Sequence, residues 1–309
     1  MSLRHFVLSL AAVFVALAVG VVLGARVLSD PLEIGPGGLE QEVRQQERVD
    51  DTAALTERLA AADEFDTTMS SRIVRDSLRG KSVVVFRAPD ADEGDVAALT
   101  GLVTAAGGTL TGTVGLTPDF VDGDASEKLR SVVVSPIVPA GTQLSTTLTD
   151  AGAQAGDLLG IALLINRDPA IAPVDAAARD TVLAALRDTG FVTYPQNIGP
   201  ADAAVVVTGG ALADDAGSEG ATVARFAAAL APHGSGVVLA GRDGSANEVS
   251  AVGVARADPA LAGAVTTVDD IGTAAGRITT VLAVQSLLGG SAPQKYGVGP
   301  GAAAVTVGE

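Results

Sequence analysis

Few side chains in this sequence could do chemistry without help from a fold. The Gly-bearing turns Val207-Thr-Gly-Gly210 and Leu239-Ala-Gly-Arg-Asp-Gly244 come first, because each follows a run that reads as a strand and α/β folds place their ligand loops there. Gly209, Gly210, Gly241 and Gly244 would let a backbone approach a phosphate, and Arg242 is the best single candidate for an anion-contacting side chain. Neither turn matches GxGxxG or GxxxxGK[ST]. A tight strand-to-helix turn needs glycine for backbone reasons alone, so a structural role is the preferred reading of both.

Nucleophilic catalysis is poorly equipped. Beyond the N-terminal apolar stretch there is one histidine, His233, in a Pro232-His-Gly234 turn. Ser235 stands too near it in sequence for a nucleophile–base pair, and no G-x-S-x-G elbow is present. A turn histidine without a catalytic task is the preferred reading, so no catalytic residue is assigned and no enzyme is expected. Soft-metal chemistry has less to work with: no Cys, 2 His and 2 Met, where zinc and copper sites draw on clusters of these residues. Carboxylate pairs such as Asp214-Asp215 and Asp269-Asp270 arise by chance in a chain with 36 Asp+Glu, and Asp269 reads as a helix cap. No metal site and no cofactor are expected.

The elements that would position these residues follow an N-terminal membrane segment. Residues 6–25 are an apolar run between Arg4 and Arg26, long enough for a helix to cross a bilayer. No small-x-small cleavage site follows it, so an uncleaved anchor is preferred over a signal peptide. The anchor spans 1–28, and Arg4, His5 and the amino terminus favour a cytoplasmic N-terminus. The reading is a single-pass protein of the cell membrane with its bulk extracytoplasmic. Ala12, Ala16, Gly20 and Gly24 recur every four residues on the anchor, a small-residue face that suits dimerisation in lipid. A breaker-rich hinge covers 29–38. Residues 39–79 lack Pro and Gly and read as a helix of about 60 Å. Leu39, Val43, Gln46, Leu55, Leu59, Ala62, Met69 and Ile73 form an interrupted seam, read as a coiled coil that pairs two copies or binds a partner helix. A single amphipathic helix lying on its own domain is the alternative.

From Gly80 onward, short Val-rich strands alternate with Ala-rich helices. Strands are expected at 82–86, 109–114, 190–194, 203–208, 236–240 and 264–268. Helices are expected after 90 through 106, then over 174–189, 219–231, 245–256 and from Asp269 to Leu288. The middle, 126–166, reads as helices only, or as helices with one strand at 158–165. The fold class is α/β: an N-terminal transmembrane helix, a coiled-coil helix, then a Rossmann-like α/β sandwich domain over 80–289 with a mainly parallel sheet. A β-barrel fits badly, since aromatic content is 3% and the strands do not alternate. The Gly- and Ala-rich tail, 290–309, is expected to be flexible unless docked, with Tyr296 as its anchor. A net charge of −16 disfavours nucleic acid and anionic lipid as partners.

Several segments together resemble a known family. They are the Leu3-Arg-His5 start, Gly35-Pro-Gly-Gly38, Arg79-Gly-Lys-Ser-Val-Val-Val85, the stretch from Val268-Asp-Asp-Ile-Gly-Thr273 through Ala283, and the tail Tyr296-Gly-Val-Gly-Pro-Gly301. This pattern resembles the actinobacterial MctB family over essentially the whole chain, as a SteB-like member. The resemblance implies two functions. One is a non-enzymatic scaffold that regulates septal peptidoglycan hydrolysis with a SteA-like membrane protein and a septal hydrolase. The other is a channel or transport protein linked to copper efflux. The missing thiols, the non-barrel pattern and the long juxtamembrane helix favour the first. A third possibility is a small-ligand sensor using the loops at Gly209-Gly210 and Gly241 to Gly244.

Overall fold

The Val runs that mark the strands feed two separate cores. In a strand, successive side chains point to opposite faces, so Val83 and Val85 of β1 (Ser82–Arg87) enter one core while Val84 and Phe86 enter the other. The same division splits β4 (Ala203–Val207), whose residues are all buried. A strand covered on both faces has no polar side to alternate with, which is why these segments read as unbroken apolar runs.

The computed structural model describes residues 36–195 and 197–308, with side chains from Asp51 onward. Its strands are β1, β2 (Thr109–Leu116), β3 (Val192–Thr193), β4, β5 (Val237–Ala240), β6 (Thr266–Val268) and β7 (Lys295–Tyr296). They form one sheet in the order β3-β2-β1-β4-β5-β6-β7. All neighbours are parallel except β3, which pairs antiparallel with β2 at one edge. The sheet is open.

The helices are α1 (Pro36–Ile73), α2 (Glu93–Ala105), the single turn α3 (Pro118–Val121), α4 (Ser126–Val133), α5 (Ala151–Leu163), α6 (Ala176–Asp188), α7 (Glu219–Leu230), α8 (Ala251–Ala257), α9 (Pro259–Ala264) and α10 (Ala274–Leu288). Leu99 and Leu102 of α2 and Ile278 and Val281 of α10 cover one face. Leu158 and Leu159 of α5, Leu183 of α6 and Phe226 of α7 cover the other. There the Phe226 ring meets Phe86 and Phe120 edge-on, at centroid distances of 5.1 and 5.3 Å. Aspartates cap the helices that return to the sheet: Asp92 at α2, Asp150 at α5 and Asp175 at α6 each accept backbone N–H groups of the first turn.

By contacts the chain divides into Met1–Ala60 and Ala61–Glu309. The candidate anchor, with Ala12, Ala16, Gly20 and Gly24, lies outside the described residues. Among the described residues, no helix is long and apolar enough to cross a membrane. In the first unit the described part is the helical stretch of α1, which begins at Pro36, inside the expected hinge; proline suits a first helical position. Within the second unit, α1 ends at Ile73, short of the expected Arg79. The chain then turns through Asp76 at φ 61° and buries Val74 and Leu78 in the core.

Of the two readings of the middle segment the helices-only one holds, and three other sequence expectations change. No strand forms at 158–165: α5 continues to Leu163, and Leu164 makes a lone bridge to Ala201. An apolar run of that length fits a buried helix as well as a strand. The helix expected from Ser245 starts at Ala251, because Gly253 N–H donates to Ser245 O and folds the preceding segment into turns. The helix expected at Asp269 starts at Ala274 under a Thr273 cap, since Asp269 is engaged elsewhere. The tail expected to be flexible docks on the body itself: β7 pairs with β6, and Ala303 N–H donates to Lys295 O.

Candidate functional site

The chain runs from β1 to β2 on one side and returns to β4 on the other, so the strand order reverses between β1 and β4. Ligands of doubly wound sheets bind at such points, beyond the carboxyl ends of the strands. A crevice of about 260 Å³ lies there, lined by Pro89, Asp90, Thr208, Leu212, Glu219 and Val223 among others. Thr208 Oγ1 donates to Asp90 at 3.1 Å across it.

The loops singled out from sequence meet beside this crevice. Arg242 N–H donates to Gly209 O at 2.9 Å, joining the β4 and β5 loops. Each glycine has a packing reason. A Cβ on Gly209 would stand 2.6 Å from Asp90 O, one on Gly210 2.7 Å from Asp243 O, and one on Gly241 2.4 Å from Ser245 Cβ, while Gly244 sits at φ +87°. The Arg242 guanidinium is already occupied. Its Nε donates to Asp95 at 2.5 Å and its Nη2 lies 3.2 Å from Asp92. Arg277 approaches the other oxygen of Asp95 at 3.6 Å. The bond to Asp95 raises the Arg242 pKa above its ordinary value. Held by two carboxylates, this arginine ties α2 to the β5 loop.

A second, larger space lies further along the layer that holds α5 and α7. A groove of about 1170 Å³ runs beside α5 and α7, lined by Arg130, Ser145, Asp157, Thr222, Arg225 and His233 among others. His233 Nε2 meets Asp157 Oδ1 at 2.7 Å, and Ser145 N–H donates to Asp157 Oδ2 at 2.6 Å. Asp157 is buried inside α5, and its side chain is 7% exposed. The two residues come together because α5 carries three glycines, Gly152, Gly156 and Gly160, one every four residues. A Cβ on Gly152 would collide with Thr222, one on Gly156 with Phe226 O, and one on Gly160 with His233. The sequence reading left His233 without a task and passed over Gly152, Gly156 and Gly160. Their spacing, in a run otherwise rich in Ala, was the available signal for close helix packing.

A third cluster fastens the tail. Arg256, on α8, donates to Asp269 Oδ2 at 2.5 Å, Tyr296 O at 2.6 Å and Pro300 O at 2.8 Å. Asp269 Oδ1 accepts from Val298 N–H and Gly299 N–H at 2.8 and 3.1 Å. A side chain at Gly297 or Gly299 would strike that carboxylate, which accounts for both glycines of Tyr296-Gly-Val-Gly299. Asp269 is thus a tail clamp and not a helix cap.

Among the seam positions, Leu39, Val43 and Gln46 fall within α1 before the described side chains. Leu55 and Leu59 are exposed, at 57% and 62%. Further along, Ala62 and Ile73 are exposed and Met69 is half-buried. Asp63 Oδ1 accepts from Ala274 N–H at 2.7 Å, so the later part of α1 also caps α10. No three His, Asp or Glu side chains converge to hold a metal ion among the described residues.

The strand order and the helices on both faces define a doubly wound α/β domain with a mostly parallel sheet. The chain belongs to the MctB family: residues 1–307 match the family described as "Copper transport outer membrane protein, MctB". It is 57% identical over 310 residues to "Copper transporter MctB" of Mycobacterium tuberculosis, covering 99% of each chain. Against the protein of that name from Mycobacterium leprae it is 55% identical over 313 residues, again 99% of each. These relatives overturn the septal-hydrolase reading, because the function attached to them is copper transport, the alternative that sequence reasoning ranked second. That ranking leaned on the absence of thiols, and a transporter of copper need not hold it in a thiol cage.

Proposed function

We propose that this protein takes part in moving copper across a cell envelope, tethered to a membrane at its N-terminus with the α/β body outside the cytoplasm. The observation that carries the reading is end-to-end likeness at 57% identity to a protein named for copper transport. The tether rests on the apolar run 6–25 between Arg4 and Arg26 and on the charge rule that keeps Arg4 cytoplasmic. The body is read as non-catalytic, acting by binding, and two copies are read as pairing through α1 and the small-residue face of the anchor.

Cells lacking their own relative of this protein provide the test. Expression of the chain should lower cell-associated copper and restore growth at raised copper, both measured against an empty vector. Equal copper content with and without the chain would overturn the reading.

A further inference from the structure

We infer that the basic corner at the end of α1 docks on a membrane surface of anionic lipids, through Arg72, Arg75 and Lys81 with Phe65 and Ile73 beside them. The inference goes beyond the copper reading and does not depend on it.

The sequence concentrates the charge there. Arg72, Arg75, Arg79 and Lys81 follow one another with Asp76 as the only carboxylate among them, in a chain with 20 Lys+Arg against 36 Asp+Glu. The fold then leaves most of that charge free. From Arg87 onward, every arginine and lysine donates to a carboxylate or a carbonyl oxygen. Arg79 is held by Asp76 at 2.6 Å. Arg72, Arg75 and Lys81 are exposed and have no side-chain partner among the described residues. Three tight turns keep the segment compact between α1 and β1: Ser77 N–H donates to Val74 O, Arg79 N–H to Asp76 O and Lys81 N–H to Leu78 O.

A cation in the last turn of a helix offsets the helix dipole, which accounts for Arg72 alone. It accounts neither for the cations beyond the helix nor for the apolar groups with them. Asp63 and Val74 fall on one side of α1 by helical spacing and hold it to the body. Phe65 and Arg72, two turns apart, lie on the opposite side. Phe65 is 63% exposed and Ile73 48%, and neither lines the crevice or the groove. Cations set among apolar side chains on an exposed helix face are the pattern of helices that rest in a lipid interface. A peptide partner would have to bring its own pocket for Phe65, whereas a lipid surface yields to a convex helix face. The net charge of −16 opposes anionic lipid at a distance. Screening over about 8 Å at physiological salt leaves the charge at the corner to decide close contact.

The test holds the full chain in discs of phosphatidylcholine, which accommodate its N-terminal apolar run and leave the corner free. Flotation with separate vesicles reads binding. Vesicles containing phosphatidylglycerol should carry the discs, vesicles of phosphatidylcholine alone should not, and raised salt should release them. At about fivefold per cation, Arg72→Gln together with Arg75→Gln should weaken binding about 25-fold. Phe65→Ser should weaken it about 10-fold, with circular dichroism confirming that the variants fold. Equal recovery with the two kinds of vesicle overturns the inference. So does binding to anionic vesicles that survives the double substitution, or a Phe65→Ser chain that binds as the parent does. Retention on poly-glutamate beads without binding to anionic vesicles overturns lipid as the occupant and assigns an acidic protein instead. None of these outcomes bears on the copper reading, which cell copper tests separately.

Discussion

Asp269 and Asp270 are adjacent and chemically alike, yet the fold gives them opposite surroundings. Asp269 is held by Arg256 and two tail amides. Asp270 is buried with its Oδ1 unpartnered. Burial, and then the charge of Asp269, push the Asp270 pKa from 3.8 up to about 6, against the pull of Arg256. In the unfolded chain it titrates near the lower value. Between about pH 4 and pH 6 the native state therefore keeps a proton that the unfolded chain has released, and stability falls as pH rises through that window before levelling off. At 1.36 kcal/mol per unit the fall attributable to Asp270 is on the order of 3 kcal/mol. Asp270→Asn cannot ionise, so its stability relative to the parent should improve by about that amount between pH 4 and pH 7, measured by denaturant unfolding at each pH. An unchanged difference between the two proteins would refute the assignment. None of this could be read from the sequence, where the pair looks like any two acidic neighbours. Arg242 is similar: its type and turn were legible, but its partner Asp95 stands 147 residues away.

At the scale of elements, strands and helices were legible wherever one physical signal ruled. The Val runs located β1, β4 and β5 because burial on both faces leaves no other pattern. Aspartate caps the starts of α2, α5, α6 and α9, and glycine follows the ends of α2, α6 and α10. Legibility failed where two signals competed, as at 158–165, and where a tertiary partner decided the outcome, as in the tail, whose Gly-rich composition says nothing of the Asp269 clamp beneath it. Glycines show the same limit, since one residue type serves unlike purposes. On α5, a Cβ at Gly156 would lie 2.4 Å from the backbone oxygen of Phe226, and a backbone atom cannot step aside. Gly156→Ala should therefore destabilise the body by about 1–3 kcal/mol through overpacking. On α2, Gly101 has nothing within 4 Å of its would-be Cβ. Gly101→Ala should stabilise by somewhat under 1 kcal/mol through helix propensity alone. Thermal unfolding of the two variants side by side checks the contrast: a Gly156→Ala variant as stable as the parent would contradict the close α5–α7 crossing, and a destabilised Gly101→Ala would contradict the open space beside α2.

At the scale of the molecule, the open question is what the exposed row on α1 faces. Leu55, Leu59, Ala62, Met69 and Ile73 keep the alternating three- and four-residue steps of a coiled-coil seam, with Asp66 as the polar interruption. Leu55 and Leu59 are more than half exposed, so they contribute little to folding of the chain on its own. That separation of roles makes pairing testable without disturbing the fold. Leu55→Asp together with Leu59→Asp would place like charges opposite each other in a parallel pair, where each charge loses water and gains no partner. If two copies pair through this helix, the full chain in mild detergent should fall to half its parent mass by light scattering, with the unfolding temperature of the body unchanged. An unchanged mass would mean that the row does not hold copies together, and pairing would then have to come from the Gly20–Gly24 face of the anchor. Cell copper bears on the same question: if transport needs the paired form, cell copper should rise in the double variant relative to the parent, and an equal value in both would separate transport from pairing through this helix.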